Sequence, residues 1–202
     1  MRATVTTTMT MTVTTITTTT IPDVSATFKS GFATPLAVSF AEPSHIWLAH
    51  IFAAAVRHFP DEIAQNPQFA LWFVAAAHVR SGFDPAYCDK RNRRGIFALS
   101  APIFDEMKRR LRYGNNVSPR DPLANIAAAV AYLRWVYERY AQFAPDSAER
   151  IKCALLSLDA GYFRTKFALE KCLRPATFAQ VAVLLGCADD VERVREIAAC
   201  VP

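Results

Sequence analysis

Arg80 stands at the junction between an apolar run, residues 69–79, and the turn-forming stretch "SGFDP". An ionisable group at the end of a buried helix is a position from which a side chain can exchange protons with a ligand. A guanidinium stays protonated near neutral pH, so Arg80 itself cannot do this chemistry. A proton-transfer site would need a carboxylate instead, and the candidates near the relevant segments are Asp84, Asp89, Asp105, Glu106 and Asp159.

The spacing of the remaining reactive residues does not predict a metal or nucleotide site. The four histidines form no HExxH motif and no i,i+4 pair, and the five cysteines form no CxxC motif. An odd number of cysteines does not predict a full disulfide framework, so we expect most of them to be small buried thiols. No glycine-rich phosphate loop and no Ser-His-Asp arrangement can be proposed from the spacing. We therefore expect no metal and no cofactor.

The elements that must position these residues are helices. From residue 45 to the end of the chain, apolar residues recur at helical spacing and no convincing alternating strand appears. The run from Pro67 to Gly82 is apolar on nearly all sides, which predicts a helix through the core that ends just before the glycine. We predict an all-α fold with one domain at residues 45–202. The predicted helices cover residues 44–59, 60–66, 67–82, 100–114, 121–143, 146–161, 162–173, 176–185 and 188–199.

The N-terminal part of the chain has a different composition. Residues 1–21 contain 12 threonines and no period with a buriable face, so we predict a disordered leader. Residues 22–44 are interpreted as a linker in which residues 29–41 form a candidate export signal, although Pro35 interrupts its apolar stretch. If that signal acts, the protein is periplasmic or secreted, and otherwise it is cytoplasmic. No run approaches the roughly 20 apolar residues that span a bilayer, so we do not expect a transmembrane protein.

Four segments, in order, resemble the catalytic domain of the soluble lytic transglycosylases, a family in the lysozyme-like superfamily. They are "RSGFDP", "RGIFAL", "DPLANIAAAVAYLRWVYERY" and "ALLSLDAGY", where the family has stretches like ESGFDP, RGLMQL, DPxxNIxAGARYLRxLLxRF and ALAAYNAGP. Gly95 lies fifteen residues beyond Arg80, which is the separation between the family's glycine and its glutamate. The similarity covers residues 71–161, about half of the chain, and implies a lysozyme-like helical domain with extra C-terminal helices.

The resemblance also implies a chemistry that this sequence has lost. The family cleaves the β-1,4 glycosidic bond of peptidoglycan with one glutamate that acts first as acid and then as base. Arg80 occupies the position of that glutamate, and Ala98 that of a glutamine that binds substrate. Leu158 and Asp159 replace the tyrosine and asparagine of AYNAG. The resemblance therefore implies an inactive homologue that binds a glycan strand or a cell-envelope protein through a remodelled groove lined by Arg80, Ser81, Ala98, Leu158, Asp159 and Tyr162.

An active enzyme is the alternative, and in it Asp159 would serve as a displaced acid for a peptidoglycan lytic transglycosylase or muramidase. Against this, a cationic Arg80 nearby would lower the pKa of Asp159, which is the wrong direction for a general acid. We expect Arg80 and Asp159 to form an ion pair across the groove. The other arrangement is that Arg80 extends to solvent.

A third and less favoured hypothesis is a basic module that binds nucleic acid. The net charge of +5 resides in residues 45–202, because the four charged residues before them cancel. The loop "DKRNRRG", residues 89–95, could contact phosphates. No aromatic residue interrupts it to form a stacking platform, so a solvated loop is the preferred interpretation and nucleic acid is not an expected partner.

Overall fold

A computed structural model of the chain describes residues 43–201, with side chains from residue 46. The predictions for residues 1–42, the threonine-rich leader and most of the linker with its candidate export signal, lie outside the described residues. Within residues 43–201 the chain forms helices and no strand, which confirms the all-α prediction. The helices are α1 (Pro43–His58), α2 (Pro60–Gln65), α3 (Leu71–Ser81), α4 (Ala101–Arg110), α5 (Pro122–Tyr140), α6 (Ser147–Ala160), α7 (Tyr162–Lys171), α8 (Phe178–Leu185) and α9 (Ala188–Ala199), with a 3₁₀ helix at Pro67–Ala70 before α3.

Helix α5 forms the centre of the bundle and packs against α1, α4, α6 and α7. It begins as predicted, because the Asp121 carboxylate accepts the Ala124 backbone N–H at 3.0 Å and Pro122 occupies the first turn. At its far end Tyr137 joins a buried aromatic cluster with Phe59, whose ring centroid lies 5.3 Å away. The short core helix α3 packs against both α1 and α9.

Helix α3 is buried along most of its length, as its uniformly apolar sequence predicts. It ends at Gly82, which has a φ of 63° in the left-handed region that glycine adopts without steric cost. The Gly82 N–H donates to the carbonyl of His78 at 2.7 Å and closes the last turn. This ending fixes the direction of Arg80, the second-last residue of α3.

The loop that returns past Arg80 is held by a close approach of backbone segments. Gly95 has a φ of 76°, and a Cβ at that position would lie 2.3 Å from the Pro119 carbonyl oxygen. The buried Asn125 side chain accepts the Phe97 N–H at 2.8 Å and donates to the carbonyl of Arg94 at 3.0 Å. The start of α5 therefore fixes residues 94–99 beside the end of α3.

The C-terminal helices complete the described structure. Helix α8 packs on α6 and α7, and α9 packs on α3 and α6. No helix among residues 43–201 is both long enough and apolar enough to cross a membrane. The expectation that most cysteines are buried is wrong, because Cys153 is buried whereas Cys88 is exposed and the other three are partly exposed. The cysteines lie mainly in loops and helix ends, where the core does not cover them.

Candidate functional site at the end of helix α3

Arg80 lies inside the protein with only 3% of its surface exposed, and its guanidinium faces Asp159 at the end of α6. The Nη1 donates to Oδ2 at 2.6 Å and the Nη2 to Oδ1 at 3.1 Å. This is a bidentate arrangement, which matches the planar fork of the guanidinium to the two carboxylate oxygens. The predicted ion pair across the groove is therefore present, and Arg80 does not extend to solvent.

Backbone carbonyl groups of the 94–99 loop complete the shell around the Arg80 guanidinium. Its Nε donates to the carbonyl of Phe97 at 2.7 Å, and its Nη2 donates to the carbonyl of Ala98 at 3.2 Å. Ala98 has a φ of 45°, a conformation that costs a residue with a Cβ roughly 1–2 kcal/mol. Ala98 thus takes part in the site through its backbone, and its methyl group is buried.

The side chain of Asp159 is fully buried and serves three arginines. Besides Arg80, its Oδ1 accepts from Nη1 of Arg93 and, at 3.0 Å, from Nη1 of Arg193. Arg93 also donates from Nε to Oδ2 of Asp89 at 2.5 Å. We call these five residues the Asp159 cluster. Its three cations and two anions leave one net positive charge in a buried region.

The electrostatics of the Asp159 cluster keep Arg80 and Asp89 ionised near neutral pH. Burial lowers the pKa of Arg80 to about 9, and the positive charge of Arg193 contributes to that shift, yet the group remains a cation at pH 7. Burial raises the pKa of Asp89, but hydrogen bonds from the backbone and side chain of Arg93 outweigh it, so that the net shift is downward. Three guanidinium groups around Asp159 likewise favour its charged form.

Helix α9 closes this site from the side. It supplies Arg193 to Asp159, and it supplies the buried Asp190, whose Oδ1 accepts from Nη1 of Arg91 at 2.7 Å. Arg91 and Arg93 both come from the basic loop at residues 89–95, so α9 and this loop are tied together over the end of α3. The interpretation of the loop as solvated holds for Lys90, Arg91 and Asn92, which are exposed, but it is wrong for Arg93, which is only 6% exposed. Its charge is buried because Asp89 and Asp159 pair with it.

A shallow depression remains beside the cluster, between the end of α6 and the start of α9. Its volume is about 410 Å³, and its lining includes Arg91, Asp159, Arg164, Ala188 and Asp189. Since the Asp159 side chain is fully buried, that residue meets the depression through its backbone. The depression is therefore bordered by charged groups but gives no access to the buried carboxylate.

The other predicted groove residues have mainly structural contacts. The Ser81 hydroxyl lies 2.5 Å from the Ile96 carbonyl oxygen and links the end of α3 to the same loop. Leu158 is buried. The Tyr162 ring packs on Trp135, with ring centroids 4.6 Å apart, and it stacks parallel to Tyr140. The structure thus brings Arg80, Ser81, Ala98 and Asp159 together, whereas Leu158 faces the core and Tyr162 joins an aromatic group.

Of the remaining candidate carboxylates, Asp84 and Glu106 have partners elsewhere, and Asp105 is exposed on α4. Asp84 accepts the Ala86 N–H at 2.8 Å in the turn after α3. Glu106 pairs with Arg109 and Arg110 on the surface of α4. Within residues 43–201 no group of three or more His, Cys, Asp or Glu side chains is arranged to hold a metal ion.

Sequence reasoning missed three members of this arrangement. Arg93 was noted only as part of the basic loop, and Asp190 and Arg193 were not noted at all. The two α9 residues lie three positions apart on a helix with many charges, a pattern that usually belongs to a solvated face. Only the packing of α9 against α3 reveals their role.

The helical architecture and the positions of the loop, the long helix and the 159–161 turn define a lysozyme-like domain. The model of the transglycosylase SLT domain family matches residues 62–177, more than half of the 202 residues. The chain therefore belongs to the transglycosylase SLT domain family. The match ends before α8, so α9 with Asp190 and Arg193 lies outside the family segment. No curated protein sequence matches the chain significantly.

Proposed function

We propose that this chain is a non-catalytic member of the SLT family that binds a peptidoglycan strand, or a cell-envelope protein, beside its former active site. The observation that carries the proposal is the bidentate pairing of Arg80 with the buried Asp159. The family chemistry needs a carboxyl group that can be protonated in an apolar setting and aimed at a glycosidic oxygen. At that position this chain has a cation whose donors are already bonded to protein oxygens.

Asp159 is poorly suited to replace the missing acid. Its carboxylate is fully buried and accepts hydrogen bonds from Arg80, Arg93 and Arg193. A general acid must carry a proton and reach its substrate to within hydrogen-bond distance. Three cations oppose protonation, and α9 separates the carboxylate from solvent. These features support a role without glycan cleavage.

We assign ligand binding to the depression beside the Asp159 cluster, between the end of α6 and the start of α9. Arg91 and Arg164 offer guanidinium groups there, and Asp189 offers a carboxylate. Such groups suit the carboxylates, amides and hydroxyls of peptidoglycan, whose cleavage is the family's chemistry. A polar protein surface would meet the same groups, so the experiment must distinguish these two ligands.

Incubation of the purified protein with murein sacculi tests the proposal. We expect the protein to sediment with the sacculi and to release no anhydro-muropeptides. Release that disappears in Asp159→Asn but persists in Glu106→Gln would show an active enzyme and contradict the proposal. Circular dichroism of both variants must show intact helices for that result to count. Failure to sediment would favour a protein ligand over the glycan.

A pair of matched substitutions locates the binding surface. Ala188 and Ala101 are both exposed alanines at the first position of a helix, α9 and α4 respectively. Ala188→Trp should fill the depression and reduce sedimentation at least about tenfold, because a filled cleft loses its contacts with the ligand. Ala101→Trp should leave sedimentation unchanged. Equal binding by the two variants would place the ligand elsewhere on the surface.

A further inference from the structure

A second surface, on α7 and α8, is mainly apolar and so differs from the charged site around Asp159. Eight large hydrophobic side chains are exposed among the described residues, and five of them fall within residues 163–184. Soluble surfaces seldom concentrate large apolar groups in so short a segment, and such a concentration indicates an interaction site. We call these five residues the C-terminal apolar patch: Phe163 at 81% exposure, Phe167 at 62%, Leu173 at 82%, Val183 at 81% and Leu184 at 54%.

Part of the patch is demonstrably continuous. Phe163 and Phe167 lie four residues apart on α7 and therefore share a face of that helix. Phe167 and Leu184 line the same small pocket of about 210 Å³ between α7 and α8. Val183 precedes Leu184 on α8, so two helices contribute to the apolar surface.

Basic side chains border the same surface. Arg164 and Lys171 line the pocket together with Phe167 and Leu184. The Lys171 Nζ lies 5.3 Å from the centre of the Phe167 ring, so a cation is in direct contact with the apolar patch. Residues 162–174 contain four basic residues (Arg164, Lys166, Lys171 and Arg174) and one acid (Glu170), which gives this segment a charge of +3.

We propose that the C-terminal apolar patch docks onto the surface of an anionic lipid bilayer. Protruding aromatic and aliphatic side chains beside basic residues are the combination that places a helix in the interface, with the apolar groups among the acyl chains and the cations at the headgroups. A second copy of this chain is a poor occupant, because two segments of charge +3 would face each other. The pocket of 210 Å³ is too small to be a groove for a partner helix.

Vesicle flotation with the full-length chain tests this inference. The wild type should float with vesicles that contain phosphatidylglycerol and only weakly with phosphatidylcholine alone. The double variant Phe163→Ser/Phe167→Ser should lose binding at least about tenfold, because the groups that enter the bilayer are removed. The double variant Arg164→Gln/Lys171→Gln should bind the anionic vesicles about fivefold more weakly for each residue replaced. Its binding to vesicles of phosphatidylcholine alone should not change.

Matched control variants distinguish vesicle binding through the patch from nonspecific apolar or electrostatic binding elsewhere on the surface. Val56→Ser/Leu123→Ser removes two half-exposed apolar side chains outside the patch, and Lys90→Gln/Arg120→Gln removes two exposed cations outside it. Both controls should float like the wild type. The inference is overturned if the wild type binds neither kind of vesicle, or if the Phe163→Ser/Phe167→Ser variant floats as well as the wild type.

Discussion

Arg80 and Asp159 differ in the number and kind of partners that each side chain has besides the other. The Arg80 guanidinium has two backbone carbonyl acceptors besides the carboxylate, at 2.7 and 3.2 Å. Asp159 is the shared anion of three guanidinium groups, and within residues 43–201 it is the only charged acceptor in direct contact with Arg80. Removing one partner from a buried ion pair is costly because the remaining charge is left uncompensated. The two partners should therefore be unequal in their effect on stability.

This inequality gives a prediction about the free energy of unfolding. Asp159→Asn leaves the charges of Arg80, Arg93 and Arg193 close together without their common anion, and we expect a loss of about 3–5 kcal/mol. Arg80→Met leaves Asp159 with two arginines and should cost clearly less. Urea denaturation monitored by circular dichroism measures both values.

A control variant and a contrary result complete this test. Asp84→Asn removes a carboxylate from the exposed turn after α3, where the amide oxygen can still accept the Ala86 N–H, so its effect should be below about 0.5 kcal/mol. If Arg80→Met is as destabilising as Asp159→Asn or more so, the carboxylate is not the centre on which the cluster depends.

Helix α9 joins the site to a segment beyond the family match. Its inner face buries Val191, Val194 and Ile197, and its charged residues Asp190 and Arg193 reach the loop and Asp159. The apolar face contributes most of the attachment, because a buried aliphatic side chain stabilises by a few kcal/mol whereas a partly exposed ion pair contributes little. The ion pairs then fix the position of a helix that apolar packing already holds.

Two single substitutions in α9 test whether apolar packing contributes more than the ion pairs to the attachment of this helix. Ile197 is fully buried, so Ile197→Ala should lower the free energy of unfolding by about 2–5 kcal/mol. Arg193→Gln should cost about 1 kcal/mol or less, since it also removes a cation that lowers the pKa of Arg80. Chemical denaturation of the two variants at one pH gives both numbers. A larger loss for Arg193→Gln would mean that electrostatics, and not the apolar face, attaches α9.

The sequence predicts those parts of each element whose determinants lie close to them along the chain. The end of α3 and the start of α5 were predicted from Gly82, Asp121 and Pro122, because caps and glycines act on neighbouring backbone groups. The pairing of Arg80 with Asp159 was predicted because the family resemblance placed two separate segments across one groove. The link from Arg93 to the site was missed since Asp159, one of its two carboxylate partners, lies 66 positions away. The placement of α9 on α3 likewise leaves no mark in the local sequence.

The domain as a whole has the helical scaffold of its family, and the space around Arg80 is filled by protein groups. Gly95 and Asn125 still hold the loop against the start of α5, so the backbone path around the site is maintained. Inside that path Arg93 and Arg193 converge on Asp159. If the proposed function holds, a variant that gains glycan cleavage would have to alter this electrostatic environment as well as the single residue at position 80.

The variant Arg80→Glu/Asp159→Asn restores the family's residue types at both positions, and we expect it to release no muropeptides from sacculi. Arg93 and Arg193 would lie close to the new glutamate, and neighbouring cations lower a carboxyl pKa, so that group would stay ionised and could not donate a proton. General acid–base catalysis typically contributes 10²–10⁴-fold, so its absence is measurable by chromatography of soluble products. Adding Arg193→Gln should raise the pKa of the new glutamate, but α9 would still cover it. Release by the double variant alone would mean that the groove is open and that its electrostatics still permit proton transfer, which a closed and positively charged Asp159 cluster does not allow.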